Sequence, residues 1–565
     1  MTRPAALVAI SIWLTPVAAA GAPNLDLISV PNPEPSEGAL FGVGVAGLDD
    51  VNGDGLQDLA VGAPGAGRVY VLSGADRTVL RVIADPDGIA EGGFGWSVQS
   101  IGDVDGDGIG DLAIGAPGDC FEFACPLPPP CGEEVCPPDP QVGRAFVFSG
   151  STGMQLRTLT PPAHSVGRHF GYDVAPLGDI NGDGVPDVAI SAPTINIRGW
   201  GEVFAFSGAD GAEIWSVEEP PFPGSRPPIP SFGWFLAETG DLNGDAARDV
   251  LVGTPFADID PDPVLESLRG RMYVLSGTDG SVLRAHEDPA GDFFGGGVSA
   301  VGDQTDDGME EYAVGDRGSV RVHLFDGASG ALLRSIPIPP SPDPAFASLG
   351  AFALERAGDR NGDGREDLWV GVAPGGSVHL MTTDGEVLGS VVDPTPEPGA
   401  RPIASFGARL ASIQMAGPER VSALIAGNGA EGFAARIPNA GAAYVVTFCA
   451  DGEAPSLTVD VAPATLWPPN HRYRTVTAMV VGTDNVDPSV EVTLLAVTSN
   501  EPDDGEADGN TTNDIVIIDD VTFLLRAERS EIGTGRVYTM TYEAADDCGN
   551  STQEAATVTV PLESP

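Results

Sequence analysis

Lysine is absent from all 565 residues, so each of the 28 basic side chains is an arginine, set against 81 aspartates and glutamates. A formal charge of −53 repels polyanions, and a nucleic-acid partner is excluded on that ground. Beyond the first twenty residues no apolar run is long enough to span a bilayer, so no membrane span is expected. The closing stretch "VTVPLESP" gives no reason to expect an anchor. Histidine is scarce and scattered: His164, His169, His286, His323, His379 and His471. Neither G-x-S-x-G nor H-E-x-x-H occurs, and no histidine lies beside a recognisable nucleophile, so no enzyme motif is present.

Cysteine is nearly as scarce, with six residues. Cys120, Cys125, Cys131 and Cys136 fall in one insertion, "CFEFACPLPPPCGEEVC", with four, five and four residues between them. Zinc spacing fits poorly, and in an exported chain two local disulfides are expected, in any of three pairings. Cys449 and Cys548 bracket the C-terminal segment and are expected to pair. Export itself is read from "MTRPAALVAISIWLTPVAAAGAP": a basic n-region at Arg3, an apolar stretch, and small residues Ala18, Ala19 and Ala20. Residues 1–20 are therefore expected to be a secretory signal peptide.

Glycine (75) and proline (51) are abundant, and 42% of residues are apolar, a composition of many short strands and tight turns. One nine-residue loop accounts for much of the acid. "DVNGDGLQD" (Asp50 to Asp58) returns as "DVDGDGIGD" (Asp103 to Asp111), "DINGDGVPD" (Asp179 to Asp187) and "DLNGDAARD" (Asp241 to Asp249). It returns again as "DQTDDGMEE" (Asp303 to Glu311) and "DRNGDGRED" (Asp359 to Asp367). First positions lie 53, 76, 62, 62 and 56 residues apart. A Phe-Gly precedes most copies: Phe41-Gly42, Phe94-Gly95, Phe170-Gly171, Phe232-Gly233 and Phe294-Gly295. An apolar strand ending in Gly-Ala-Pro or similar follows, then "GRVYVLSG" or its equivalent, then a shorter strand such as "TVLRVI".

Each unit reads as four short strands, and four-stranded units repeated about an axis make a β-propeller. A seventh unit lacks the acidic loop but keeps the frame, in Phe406 to Ile413, "ALIAGNG" and "GAAYVVTF". "LDLISV", near the start, is a candidate strand to complete that unit. The expected fold is all-β: a seven-bladed β-propeller over residues 21–448, with calcium-binding hairpin loops, then an Ig-like β-sandwich over 449–565. Phe-Gly, the D-x-[DN]-x-D-G-x-x-D loop and Gly-Ala-Pro together resemble the FG-GAP repeats of integrin α-subunit propellers and of similar bacterial exported proteins.

Alternating oxygen side chains with glycine between them suit a hard cation that takes six to eight oxygens, which is calcium rather than magnesium. Candidate ligands are Asp50, Asn52, Asp54, the Leu56 carbonyl and Asp58; then Asp103, Asp105, Asp107, Ile109 and Asp111. The third and fourth loops offer Asp179, Asn181, Asp183, Val185 and Asp187, and Asp241, Asn243, Asp245, Ala247 and Asp249. The sixth offers Asp359, Asn361, Asp363, Arg365 and Asp367. The fifth would use Asp303, Thr305, Asp307, Met309 and Glu311, and its departures leave it undecided between metal and a plain turn. About five or six Ca2+ ions in a structural role are expected. Ala246 stands where the other loops have a turn glycine, and Asp306 does so in the fifth.

Consecutive hairpins alternate ends, so chain following Gly-Ala-Pro emerges on the face away from the acidic loops. That face receives Gly118 to Val142 with its four cysteines, Phe256 to Gly270, and the Pro-rich "PPFPGSRPPIPS" and "IPPSPDPAFAS". The integrin resemblance implies ligand binding on the same face. After Cys449 the loop disappears and strands alternate, which reads as a β-sandwich. "LWPPNH", "SNEP" and "RAERS" with "GRVYT" resemble bacterial Ig-like modules; Val486 departs from versions with cysteine. His471 reads as a structural corner, Asp484, Asp487 and Asp546 as a remote cation candidate, and Glu501 to Asp514 as a solvated acidic loop. The expected function is a secreted, calcium-stabilised binding or adhesion protein whose ligand is an extracellular protein or a glycan. A polysaccharide-active enzyme with carboxylates assembled across the propeller face stays open as the alternative, and so does a structural envelope role.

Overall fold

The computed structural model describes residues 25–36, 38–89, 92–118, 143–162, 169–193, 201–220, 231–256, 270–287, 293–340, 350–373, 376–393, 406–413, 420–428, 441–449, 453–485, 490–503, 512–530, 534–546 and 550–564. All of it is β-structure and connections, apart from one 3-10 turn at Pro64–Ala66. Seven four-stranded antiparallel sheets are present among these residues, followed by one further sheet of four strands and one of three. Repeated four-stranded sheets of this kind are the building plan of a β-propeller.

The first sheet sets the pattern: Val45–Leu48, Asp58–Ala63, Arg68–Leu72 and Val79–Ala84, paired in chain order. Its second strand, "DLAVGA", is buried at every position, as are "DLAIGA", "DVAISA", "DVLVGT" and "DLWVGV" in the equivalent places. A strand covered on both faces needs no polar alternation, which is why these runs, after their leading aspartate, are apolar or small. The fourth strand shows exposed and half-buried positions, as an outer strand should.

Neighbouring sheets meet through the Phe-Gly and Gly-Ala-Pro motifs. The second-strand glycine of one sheet lies against the Phe-Gly carbonyl of the next: Gly62 on Gly95, Gly115 on Gly171, Gly371 on Gly407. A Cβ at any of these three would overlap that carbonyl. The phenylalanines fill the space beside this contact. Phe94 packs edge-on against Phe146 at 5.7 Å, and Phe170 against Phe204 at 5.4 Å. Each such fully buried ring contributes about 1.5–3 kcal/mol. At the outer rim an N–H donor from one sheet's fourth strand reaches a turn carbonyl of the next. Arg81 donates to Gly150 O at 2.6 Å, Arg157 to Ala209 O, Trp215 Nε1 to Gly277 O at 2.6 Å, Arg284 to Ala328 O at 2.9 Å and Arg334 to Thr383 O at 3.0 Å. The guanidinium's several donors suit this role.

The seventh sheet joins the two ends of this region. Leu410–Ile413, Arg420–Asn428 and Ala442–Cys449 are completed by Leu25–Val30, which pairs antiparallel with Ala442–Cys449 from Leu25↔Phe448 to Val30↔Ala443. The strand suspected in "LDLISV" is therefore the outer strand of the last sheet. Ala411, Ile413 and Val445 share a core with Val45, Leu59 and Tyr70 of the first sheet. The last strand runs through Cys449, one residue past the expected boundary.

Downstream, Ser456–Ala462, Tyr473–Thr483, Thr522–Arg526 and Ile515–Asp519 form one sheet; Glu491–Ser499, Arg536–Ala545 and Ser551–Val560 form the other. Leu457, Val476, Phe523 and Leu525 of the first share a core with Tyr538, Met540, Val558 and Val560 of the second. The reading of Glu501 to Asp514 as a solvated loop is corrected at both ends. Asp514 is 2% exposed and pairs with Arg536, which is itself fully buried. Glu501 Oε2 lies 3.3 Å from the same guanidinium, and Arg526 Nε 3.2 Å from Asp514 Oδ1. His471 Nδ1 approaches Glu528 Oε2 at 3.2 Å, so its corner is tied into this network. A charge this deep is tolerable only when paired and hydrogen-bonded, which explains why "SNEP", "RAERS" and "GRVYT" carry the partners. Residues 1–20, expected to be a signal peptide, Cys120, Cys125, Cys131, Cys136, Cys548, Val486, Asp487 and the long insertions lie outside the described residues, as does the Cys449 side chain.

Candidate metal centres and axial cavity

All six acidic loops join the first strand of a sheet to the second. In the first, Asp50 Oδ1 accepts the N–H of Gly53 at 2.7 Å and of Asp54 at 3.0 Å, and Oδ2 accepts Gly55 at 2.7 Å. The same three bonds recur around Asp103, Asp179 and Asp359, and around Asp241 with Ala246 as the last donor. Asp303 keeps two of them, from Asp307 and Gly308. Folding the chain around one carboxylate needs two left-handed residues. Ala246 (φ 73°) and Asp306 (φ 62°) adopt that conformation even without glycine's freedom.

Third and fifth positions stand at the exposed rim. Carboxylate oxygens of Asp103, Asp105 and Asp107 lie within 4.8 Å of one another, and so do those of Asp303, Asp307 and Glu311. The fifth loop, undecided from its sequence, thus brings its acids together as the second does. Hydrogen bonds hold some of these acids in the anionic form: Asn52 lowers the Asp54 pKa, and the Ser151 hydroxyl lowers that of Asp107.

The ninth position behaves differently. Asp58, Asp111, Asp187, Asp249 and Glu311 are fully buried, and Asp367 is 1% exposed. Asp58 Oδ2 accepts the Val51 N–H at 2.8 Å, closing its own loop, while Oδ1 accepts Gly74 at 3.0 Å from the turn between the third and fourth strands. Asp111, Asp187 and Asp249 repeat both bonds, with Gly150, Gly208 and Gly277. Burial pushes these carboxyls up, to about 6 for Asp187, Asp249 and Asp367. The sequence pattern marked the ninth residue as a ligand and missed this scaffolding role. The signal was present in the Ser-Gly that ends "GRVYVLSG".

The inner strands of the sheets surround a cavity of about 170 Å3. Arg409 of the seventh sheet reaches across to Asp173 of the third at 2.9 Å, and Asp173 also accepts the Leu236 N–H. Burial raises the Asp173 pKa against the pull of Arg409. Glu355 accepts the Ser412 N–H at 3.3 Å, and burial raises its carboxyl to about 7. Arg356 bridges Glu310 at 2.9 Å and Glu366 at 3.1 Å.

Histidine pairing was invisible in the sequence. His323 Nδ1 lies 2.9 Å from Ser335 Oγ, and Nε2 is 3.5 Å from Asp316. The sequence shows no histidine beside a nucleophile, and this contact is not local: cross-strand register brings the two residues together. A matching pair, His379 with Ser390 at 2.7 Å, occupies the same place in the sixth sheet, where Ser377 replaces the acid. Recurrence inside two sheets identifies a packing pair. His286 bonds the Tyr312 hydroxyl at 2.7 Å and stacks on Phe325, and desolvation lowers it to about 4.

The FG-GAP repeat model matches residues 41–72, 94–120 and 170–194. Integrin alpha-PS2 of Drosophila melanogaster is 30% identical over 230 residues, covering 37% of this chain and 15% of that protein. Human integrin alpha-7 is 32% identical over 205 residues, 34% of this chain and 15% of its own. Phosphatidylinositol-glycan-specific phospholipase D of Bos taurus is 31% identical over 177 residues, 29% and 19%. The chain thus spans less than a fifth of the length of these relatives. The solved structure of Saccharomyces cerevisiae Sqt1 overlaps 69% of this chain and 80% of its own at a TM-score of 0.39 and 11% identity, too low to bear on the fold. No helix among the described residues is long and apolar enough to cross a membrane. The matched repeats and the integrin likeness together mark the chain as similar to FG-GAP, integrin-like proteins.

Proposed function

We propose that this chain is an exported seven-bladed propeller, stapled by calcium, which binds an extracellular protein or glycan on the face opposite its acidic loops. Residues 1–20 are its signal peptide, 21–448 the propeller and 449–565 an Ig-like spacer. The observation that carries the calcium reading is the repeated loop geometry: one cradled carboxylate, rim acids drawn together, and oxygen as the sole donor element. That set fits a hard cation, and carboxylates so crowded repel one another without one. First-, third-, fifth- and ninth-position side chains with the seventh carbonyl would hold it. When bound, the ion cancels that repulsion and locks the hairpin. The residues themselves shape the loop, through the first carboxylate's grip on three N–H groups and the ninth's on two.

Topology supports binding on the opposite face. The Cys120–Cys136 insertion leaves the second strand of its sheet at Ala116 and returns at Arg144, at the end away from the acidic loop. Loops on a rigid scaffold commonly carry recognition. The test is a calcium-replete pull-down of the full chain against envelope extract and a polysaccharide panel, with soluble products assayed in the same tubes. Retention without turnover is expected, lost when Cys120–Cys136 is trimmed to a short turn while the melting temperature stays nearly unchanged. Binding that survives the trim refutes this loop. New oligosaccharides or other products refute the non-enzymatic reading and direct mutagenesis to the face carboxylates. Chelation should lower thermal stability cooperatively, and an unchanged melt in chelator refutes the staple.

A further inference from the structure

We infer that the turn between the third and fourth strands positions the cation ligands of its own sheet's loop in the first four sheets, through one or two hydroxyl groups and one glycine. The inference rests on the calcium reading above.

The fifth-position carboxylate has two oxygens with separate partners. In the first loop Asp54 Oδ1 accepts the Leu56 N–H at 2.9 Å, inside the loop, while Oδ2 receives Asn52 Nδ2 at 2.8 Å from the loop and the Ser73 hydroxyl at 3.1 Å from the turn. Ser151 donates to Asp107 Oδ2 in the second sheet. Ser207 donates to Asp183 Oδ2 at 3.3 Å in the third, and Ser276 and Thr278 to Asp245 Oδ2 at 3.3 and 2.8 Å in the fourth. The glycine beside that hydroxyl grips the ninth ligand, from Gly74 N at 3.0 Å, Gly150 at 2.9 Å, Gly208 at 3.1 Å and Gly277 at 3.0 Å. One turn thereby orients two ligands that its own strand never reaches.

Glycine is required there on steric grounds. A Cβ on Gly74, Gly150, Gly208 or Gly277 would overlap the carbonyl oxygen of the loop's eighth residue, Gln57, Gly110, Pro186 or Arg248. The last two loops lack the full device. In the fifth sheet Asp326 stands in place of the serine and takes the Ser329 N–H instead. In the sixth the dipeptide is Thr382-Thr383: the Thr382 hydroxyl accepts Glu386 N–H, and Thr383 donates to Gln304 of the fifth loop at 2.6 Å. Loops one to four therefore form a preorganised class. Groups that orient a ligand without touching the metal commonly change affinity by about 10–100-fold, because the cost of ordering the ligand is met before the ion arrives.

The test uses the full chain, stripped with chelator, titrated calorimetrically with CaCl2 and melted in calcium and in EDTA. Ser73→Ala combined with Ser207→Ala removes the single hydroxyl donor from two sheets. Expected are a loss of about tenfold in affinity at two sites, a smaller calcium-induced rise in melting temperature, and an EDTA melt close to that of the parent. Thr382→Val, which touches only its own turn, should leave every affinity unchanged. An unaltered isotherm for the double variant overturns the inference. So does a melting loss equal in calcium and EDTA, which is the mark of a merely structural hydroxyl bond. No calcium binding by the parent chain overturns the calcium reading beneath it instead.

Discussion

Replacing Asp187 by alanine separates scaffolding from ligation within one loop. Its carboxylate accepts the N–H of Ile180 at 3.0 Å and of Gly208 at 3.1 Å, both buried. Each orphaned buried amide costs about 1–3 kcal/mol, so the pair sums to about 2–6 kcal/mol, with the lower half expected if water enters the space left behind. An array of about 400 residues unfolds with an entropy near 0.8 kcal/mol/K, and a loss of about 3 kcal/mol then lowers its melting temperature by about 4 °C. That loss needs no metal and should appear in EDTA. Asp183→Ala is the counterpart. Its partners, Val185 N–H at 2.9 Å and the Ser207 hydroxyl at 3.3 Å, sit at an exposed rim where water replaces them, so less than about 1 kcal/mol is lost in EDTA. On the calcium reading proposed above, both variants also lose a ligand in calcium. Calorimetric scans of parent and variants in both buffers decide the matter. If Asp187→Ala melts with the parent in EDTA, or Asp183→Ala falls as far as Asp187→Ala there, the division of roles is wrong.

Ala246→Gly should stabilise the fourth loop by about 0.5–1 kcal/mol. Releasing an L-residue from φ 73° gains about 1–2 kcal/mol, and glycine's greater freedom in the unfolded chain takes back about 0.4–1 kcal/mol. A lower denaturation midpoint in EDTA would refute this. Glu355→Gln tests the axial cavity by pH. The folded pKa of about 7 lies above the ordinary glutamate value of 4.5, so the parent loses stability as pH rises through that window, by up to about 3 kcal/mol before discounting for partial exposure. The variant should melt higher than the parent at pH 8 and alike at pH 4. Equal melting at both values would show that the cavity solvates the carboxylate.

How much of this was legible beforehand depends on the range of each interaction. The loops announced themselves because an acidic loop drawn from alternating residues is local: position determines which oxygen faces inward. The four-strand rhythm was legible for the same reason, since turns and buried runs alternate along the chain. Glu355 beside Ser412, Arg409 across from Asp173, and His323 with Ser335 were not, because register and ring closure choose those partners and no spacing encodes them. In the sequence the Ser-Gly ending reads as the end of a strand. Its link to a loop 16 to 39 residues earlier exists only when both hairpins of a sheet are in place.

The sequence by itself determined the repeated unit, its acidic loops and an all-β architecture, because hydrogen-bonded turns and strand burial are set by neighbours within a few residues. Tertiary structure alone decided that the ninth carboxylate is a buried strut, that the first strand of the chain completes the last sheet, and that the axis holds a polar cavity. Those outcomes depend on packing between sheets. A buried acid must find N–H donors wherever the fold brings them, and in the first four sheets one of them comes from the neighbouring hairpin.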